Sequence, residues 1–117
     1  DIDLSTDPVA MQRIKDLAPH VDYLCPMIYP STFESGNLGL VSPAQEPYKV
    51  IQISMAMAKK RTDTPVRPWL QHYWYGRHEI AEQRRAAEQA TDMGWSFWNA
   101  RGTYDEMFFV PPQGIEP

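Results

Sequence analysis

Three apolar stretches of the sequence carry aromatic and polar side chains at alternating positions near their ends. The residues are Met27 and Tyr29 in the first stretch, Trp69, Gln71 and Tyr73 in the second, and Ser96 and Trp98 in the third, with Ser31 and Asn99 just after two of these ends. Alternate side chains of a strand point to the same face. Aromatic rings stack on the apolar CH faces of sugars, whereas amides and hydroxyls bind sugar hydroxyl groups. The spacing therefore predicts a surface that can pack against the flat apolar face of a ligand and form hydrogen bonds with its polar groups.

Each of these residues also has a structural interpretation. Trp98 and Tyr29 can fill a core, and the amides of Gln71 and Asn99 can bond to loop backbone. Trp69, deeper in its stretch, is predicted to be a core residue. Trp74 and Trp95 are predicted to pack between strand and helix.

Acidic residues at predicted strand ends are missing from the sequence. Hydrolysis of a glycosidic bond usually requires two carboxylates about 5–10 Å apart. The candidates lie in loops and are interpreted as solvated acids: Glu34, Glu46, Asp105 and Glu106. No catalytic residue is therefore assigned. The three histidines, His20, His72 and His78, lack the spacing of a metal site, and His72 is interpreted as a hydrogen-bonded structural residue. No metal or other cofactor is predicted.

The composition indicates a folded domain. The chain has 117 residues, 43% of them hydrophobic, and a formal net charge of −4. This balance gives no indication of a nucleic-acid surface or of insertion into a membrane. The single cysteine, Cys25, lies in an apolar stretch and is predicted to be buried. Because the sequence opens on Asp1 without a methionine, we interpret it as a processed chain or a piece of a longer one.

Helical and extended patterns alternate along the chain. A first helix is expected between Thr6 and Pro19, a second from Pro47 to the basic triplet 59–61, a third over 77–93 with Gly94 as its C-cap, and a short turn over 104–109. The buried face of the second helix is predicted to comprise Val50, Ile51, Ser54, Met55 and Ala58. Strands are expected over 21–29, 66–75 and 95–100, the first covered on both faces. A 16-residue connection, 31–46, is long enough to suggest a functional loop.

This order, α-β-α-β-α-β-α, predicts an α/β fold with a parallel sheet and right-handed crossovers. Three strands are too few to close a barrel. We therefore expect a partial (β/α)8 TIM barrel, consisting of about the last three strands with their helices. Two sheet edges would be left open, and exposed edges are rarely tolerated. A missing N-terminal half of the barrel or self-association as a homo-oligomer would cover them.

Four stretches of the sequence resemble a known family. "VDYLCPMIYPS", "PYKVIQISMAMAKKR", "RPWLQHYWYG" and "GWSFWNARGTY" are together similar to the C-terminal part of the bacterial putative glycosyl hydrolase domain family. The resemblance implies that residues 1–117 are one unit containing strands six to eight of a glycoside-hydrolase-like barrel. It also implies binding at the carboxyl ends of the strands. The family often has an acidic residue where this chain has His72, and the strand that carries the acid/base carboxylate in related barrels is not in this sequence.

The sequence thus predicts one wall of a polysaccharide-binding cleft, formed by Tyr29, Ser31, Gln71, Tyr73, Trp98 and Asn99. The parent activity implied by the resemblance is hydrolysis of glycosidic bonds, and the isolated chain is expected to be inactive. Two alternatives remain open: a non-catalytic carbohydrate-binding module and a self-associating structural fragment. The resemblance also makes a cell-envelope or extracellular setting plausible.

Overall fold

The computed structural model describes residues 14–104. The regular elements in this range are α1 (Ile14–Leu17), α2 (Pro47–Arg61), β1 (Trp69–Gln71), α3 (Arg77–Ala90) and β2 (Ser96–Trp98). Single 3-10 turns lie at Ala18–His20, Pro30–Thr32, Asn37–Gly39 and Pro43–Gln45. Most of the predicted first helix and of the turn over 104–109 lies outside the described residues. No helix within 14–104 has the length and apolar character needed to cross a membrane.

The sheet is parallel, as predicted for an α/β fold. β1 pairs with β2 in the register Trp69 with Ser96 and Gln71 with Trp98. On its other side β1 is joined to the first apolar stretch by two isolated parallel bridges, one of which links Met27 to Trp69. Three chain segments therefore lie side by side with β1 in the middle. The helices α2 and α3 connect them.

The first segment forms bridges rather than a full strand because of its prolines. In a parallel ladder, alternate residues of a strand donate to the same neighbour. Here Leu24 and Ile28 donate to the β1 side with N–O distances of 2.8 and 3.0 Å. The residues that should donate in the same series, Pro26 and Pro30, have no N–H group. The prediction of a continuous strand over 21–29 was therefore wrong.

One face of this sheet is packed against α2 and α3. The sheet contributes Ile28, Leu70 and Phe97 to the core, with exposed fractions of 2%, 0% and 5%. The helices contribute a shared apolar face, whose buried members in α2 are Val50, Ile51, Ser54, Met55 and Ala58, as predicted. In α3 the buried residues are Ile80, Gln83, Ala86 and Ala87. Buried residues therefore recur about every 3.6 positions along the helices and every second position along the strands, and both sets pack into one core.

The opposite face of the sheet is open among the described residues. Met27 is 71% exposed and Tyr23 is 48% exposed. Cys25, on the same face of the segment, is also exposed, so the prediction that it is buried was wrong. The expectation that the first strand is covered on both faces was wrong for the same reason: both long helices lie on one side.

α2 ends at the basic triplet as predicted, whereas α3 ends at Ala90 with Thr91 as its C-cap, and not at Gly94 as predicted. Thr62 follows α2 and Thr91 follows α3, and each Oγ1 accepts the N–H of the residue two positions later, at 3.0 and 3.1 Å. Gly94 lies in the turn before β2 with φ +85°. There the guanidinium of Arg67 donates to the carbonyl groups of Met93 and Trp95, at 2.8 and 2.7 Å. This turn fixes where β2 begins.

The connection 31–46 is folded onto the core. Leu38 and Leu40 are each 8% exposed and belong to the core cluster. Near its end, the carbonyl of Ala44 accepts a hydrogen bond of 2.7 Å from the hydroxyl of Tyr75. The connection is thereby tied to the loop that follows β1.

Candidate functional site

A cleft lies at the carboxyl ends of the two paired strands. Its volume is about 620 Å³. It is lined by His72, Tyr73, Trp74 and Tyr75 after β1, and by Trp98, Asn99, Ala100, Arg101 and Thr103 at the end of β2. We call it the strand-end cleft. Ligands of parallel α/β folds bind outside the carboxyl ends of the strands, so this cavity is preferred over the one of about 420 Å³ at the opposite ends of the strands.

Two of the predicted aromatic residues lie on the strand-end cleft. Trp98, the last residue of β2, is 45% exposed. Tyr73 lies in the loop after β1, and its ring makes an edge contact with Tyr29 at a centroid distance of 5.8 Å. Tyr29 therefore joins the site through Tyr73. Partial burial, followed by the proximity of Tyr73 and Tyr104, raises the pKa of Tyr29 above its ordinary value, so its hydroxyl keeps its proton at neutral pH.

Asn99 organises the loop after β2. Its Nδ2 donates to the carbonyl of Thr103 at 3.0 Å and lies 3.1 Å from Nδ1 of His72. Its Oδ1 accepts the N–H of Arg101 at 3.0 Å. These bonds match the alternative in which this amide holds loop backbone, and they also fit the structural role predicted for His72. The sugar-binding role of Asn99 stays a prediction.

Gln71 is next to the strand-end cleft in sequence but does not line it. Its side chain is fully buried. The Oε1 accepts the N–H of Ser31 at 3.0 Å, and the Nε2 donates to the carbonyl of Tyr73 at 3.0 Å. Both ends of the amide are thus bonded to the two loops that carry predicted site residues. Gln71 holds these loops together in the structure, and a direct contact with a ligand stays a prediction.

A second buried glutamine completes this arrangement. Gln83 of α3 accepts the N–H of Gln71 at 2.9 Å and donates to its carbonyl at 2.7 Å. In a continued ladder, the carbonyl of Gln71 would accept from residue 30, which is proline and has no donor. Gln83 supplies the missing partner from the helix. The sequence analysis did not identify this residue, although a Gln at an otherwise apolar helix position was the available signal.

Ser31 has its backbone in this network but not its hydroxyl. The Oγ is buried and has no hydrogen-bond partner within residues 14–104. Buried hydroxyl groups normally have a partner. The sugar-binding role of Ser31 stays a prediction.

The sequence matches a known protein family over most of its length. A family model described as "Putative glycosyl hydrolase domain" matches residues 2–104. The chain belongs to this family. The match confirms the resemblance seen in the four sequence stretches, and it indicates a glycoside-hydrolase-like function. No curated protein and no solved structure matches the chain.

The described residues that line the strand-end cleft include no Asp or Glu. Of the loop acids, Glu34 is exposed and Glu46 lies 3.4 Å from the ammonium of Lys49. Asp105 and Glu106 lie outside the described residues. Within 14–104 the structure brings together no group of three or more His, Cys, Asp or Glu side chains that could hold a metal ion.

Trp74 and Trp95, the two tryptophans predicted to pack between strand and helix, behave differently from each other. Trp95 packs against the core as predicted, with the guanidinium of Arg84 5.0 Å from its ring centroid. Trp74 was predicted to pack in the same way, and this was wrong: it is 84% exposed on the strand-end cleft. Tyr73 and Tyr75 are partly buried on either side of it. The run of three aromatic residues directly after a strand was the signal that at least one had to face solvent.

Proposed function

We propose that this chain forms one wall of the polysaccharide-binding cleft of a glycoside-hydrolase-like (β/α)8 barrel, as its last three strands. Among residues 14–104, three parallel segments have both long helices on one face and an uncovered opposite face, and this arrangement supports the assignment. In such barrels the helices lie outside, the strands face the centre and the ligand binds at the carboxyl ends. The strand-end cleft has the corresponding position.

The observation that carries the proposal is the position of Trp98. Its ring is half-exposed at the end of a strand, and the loops on both sides of it are held by hydrogen bonds. When a sugar stacks on a ring that is already fixed, the protein loses little further conformational entropy on binding. Polar groups at the same cleft, together with the neutral hydroxyl of Tyr29, whose ring contacts Tyr73, would bind the sugar hydroxyls.

We expect the chain alone to bind glycans without hydrolysing them. Hydrolysis requires a general acid and a second carboxylate on opposite sides of the scissile bond. The described lining of the cleft supplies neither. In a complete barrel both carboxylates would come from other strands, and this chain would supply binding and orientation.

The test is calorimetric titration with soluble oligomers of β-1,4-linked glucose, β-1,4-linked N-acetylglucosamine and α-1,4-linked galacturonate. We expect binding of at least one series, and Trp98→Ala should weaken it roughly tenfold or more, as for a stacked aromatic anchor. The matched control is Tyr23→Ala, since Tyr23 is 48% exposed at the other end of the sheet. Equal affinities for wild type and Trp98→Ala, or release of reducing sugar by the chain, would contradict the proposal.

Self-association is a second candidate, favoured by the open sheet face. Parallel sheets are nearly always covered on both faces, and here Met27 is 71% exposed. A second copy could cover it and one open sheet edge. Sedimentation over a wide concentration range tests this: a mass that rises with concentration, and that Met27→Lys returns to the monomer, would support it, whereas a monomer throughout would exclude it.

A further inference from the structure

Trp74 has an unfavourable backbone and an unfavourable side-chain environment at once. Its φ is +63°, in the left-handed region. A bulky residue with a side chain rarely adopts this region, which glycine and asparagine occupy most easily. Its indole is 84% exposed, the largest exposed fraction among the described large hydrophobic residues. Neither property contributes to the stability of the fold described here.

The same position is directed into the strand-end cleft. Trp74 is one of the residues lining this cleft, and Trp98 is another. The two reach it from different elements: Trp74 from the loop between β1 and α3, and Trp98 from the end of β2. Strained conformations persist where the surrounding structure holds them and tend to occur at ligand sites.

The neighbours of Trp74 hold it there. Its ring makes an edge contact with Tyr73 at a centroid distance of 5.2 Å, and Tyr73 in turn contacts Tyr29. The carbonyl of Tyr73 accepts a hydrogen bond from the buried amide of Gln71. On the following side, the hydroxyl of Tyr75 is bonded to the carbonyl of Ala44. Both neighbours are therefore anchored, and the loop keeps the exposed ring in place.

We propose that Trp74 is a second stacking site in addition to Trp98, and that the cleft therefore binds oligosaccharides of at least two sugar units. This inference rests on the proposed carbohydrate-binding function and extends it from a single stacking platform to a chain-binding groove. The cleft volume of about 620 Å³ falls within the range of about 300–1,000 Å³ typical of ligand sites. Trp74 contacts ligand in this arrangement and determines the preference for chain length.

The experiment compares the affinities for a monosaccharide and for its tetramer, in whichever of the three sugar series binds the wild-type chain. The wild type should bind the tetramer more tightly. Trp74→Ala should reduce the tetramer affinity about tenfold and leave the monosaccharide affinity unchanged, whereas Trp98→Ala should weaken both. Trp74→Phe should retain most of the tetramer affinity, because it keeps a ring.

A further variant separates binding from folding. Trp74→Gly removes the strain of the left-handed conformation, so its Tm should be at or above that of Trp74→Ala while its tetramer affinity is equally low. Loss of affinity together with unchanged or raised Tm identifies a ligand-contacting role. A large fall in Tm for both variants would show that Trp74 is a structural residue and would overturn the inference.

The outcomes distinguish this inference from the proposed function. If Trp74→Ala binds monosaccharide and tetramer as the wild type does, the second stacking site is wrong and the function of the cleft at Trp98 stands. The same conclusion follows if it weakens both ligands equally. If the wild type binds no member of the three series, the carbohydrate function itself is contradicted and the second stacking site falls with it.

Discussion

Replacing Gln83 by leucine should destabilise the chain strongly, although Gln83 belongs to a helix face that is otherwise apolar. Its side chain is fully buried and makes two hydrogen bonds to the backbone of Gln71, at 2.9 and 2.7 Å. Leucine cannot replace either bond. Two buried backbone groups would lose their partners, at about 1–3 kcal/mol each. Burial of the leucine offsets part of this, so we expect a loss of about 2–4 kcal/mol.

Urea unfolding, followed by circular dichroism and tryptophan fluorescence, measures this loss. A domain of ordinary stability unfolds with about 5–15 kcal/mol, so the midpoint should shift well beyond experimental error. Gln52→Leu is the matched control, because Gln52 is an exposed residue of α2. Surface changes usually alter the free energy of unfolding by no more than about 0.5 kcal/mol. A Gln83→Leu variant whose free energy of unfolding lies within this range of the wild type would refute the assignment of Gln83 as the hydrogen-bond partner of the Gln71 backbone.

The variant Gln83→Glu adds a second test, because its stability relative to the wild type should depend on pH. A carboxylate can accept from the N–H of Gln71 but can no longer donate to its carbonyl, whereas a protonated carboxyl can do both. Burial and this carbonyl raise the pKa of the introduced carboxyl above about 4.3, its value in the unfolded chain. A raised folded-state pKa gives stability that is present below pH 4.3 and lost as the pH rises. The deficit relative to wild type should therefore be smallest in acid and grow toward neutral pH.

Three further variants test the framework around the site. Gly94→Ala should destabilise the fold by more than about 1 kcal/mol, because Gly94 has φ +85° and an added Cβ would collide with the guanidinium of Arg67. Thermal unfolding measures this loss, and an unchanged Tm would contradict the turn described here. Leu70→Ala should cost about 2–5 kcal/mol, since Leu70 is fully buried between strands and helices; a cost below 1 kcal/mol in urea would argue against this core. Burial, with Glu79 and Tyr73 nearby, raises the pKa of Tyr75 to about 12. The wild type should therefore lose stability relative to Tyr75→Phe between pH 10 and 12, and a constant difference over that range would exclude the effect.

The sequence predicted the two long helices and the parallel pairing of the sheet. The buried face of α2 followed from its 3.6-residue period, and Pro47 correctly marked its first turn. The parallel arrangement followed from the alternation of helices and strands. These features depend on the spacing of residues that are close together in the sequence, so the sequence alone is enough to predict them.

Other features depend on contacts that no local pattern contains. Cys25 is exposed because both long helices lie on the other face of the sheet, and an apolar stretch alone does not tell which face is covered. Gln83 was overlooked because its partner is the backbone of a residue whose own neighbour in the ladder is a proline. Trp74 was misassigned because a tryptophan in an aromatic run suggests neither a left-handed backbone nor an exposed side chain.

The prolines at positions 26 and 30 also affect how the domain moves. With no donor at positions 26 and 30, the described part of this segment donates backbone bonds to the β1 side at Leu24 and Ile28 alone, and it forms isolated bridges rather than a continuous ladder. Proteins open locally in cooperative units, and weakly bonded units open with the least free energy. We therefore expect the amide protons of Leu24 and Ile28 to exchange with solvent faster than those of β1 and β2. The wall of the cleft that carries Tyr29 would then detach and reclose while the body formed by α2, α3 and the paired strands stays folded.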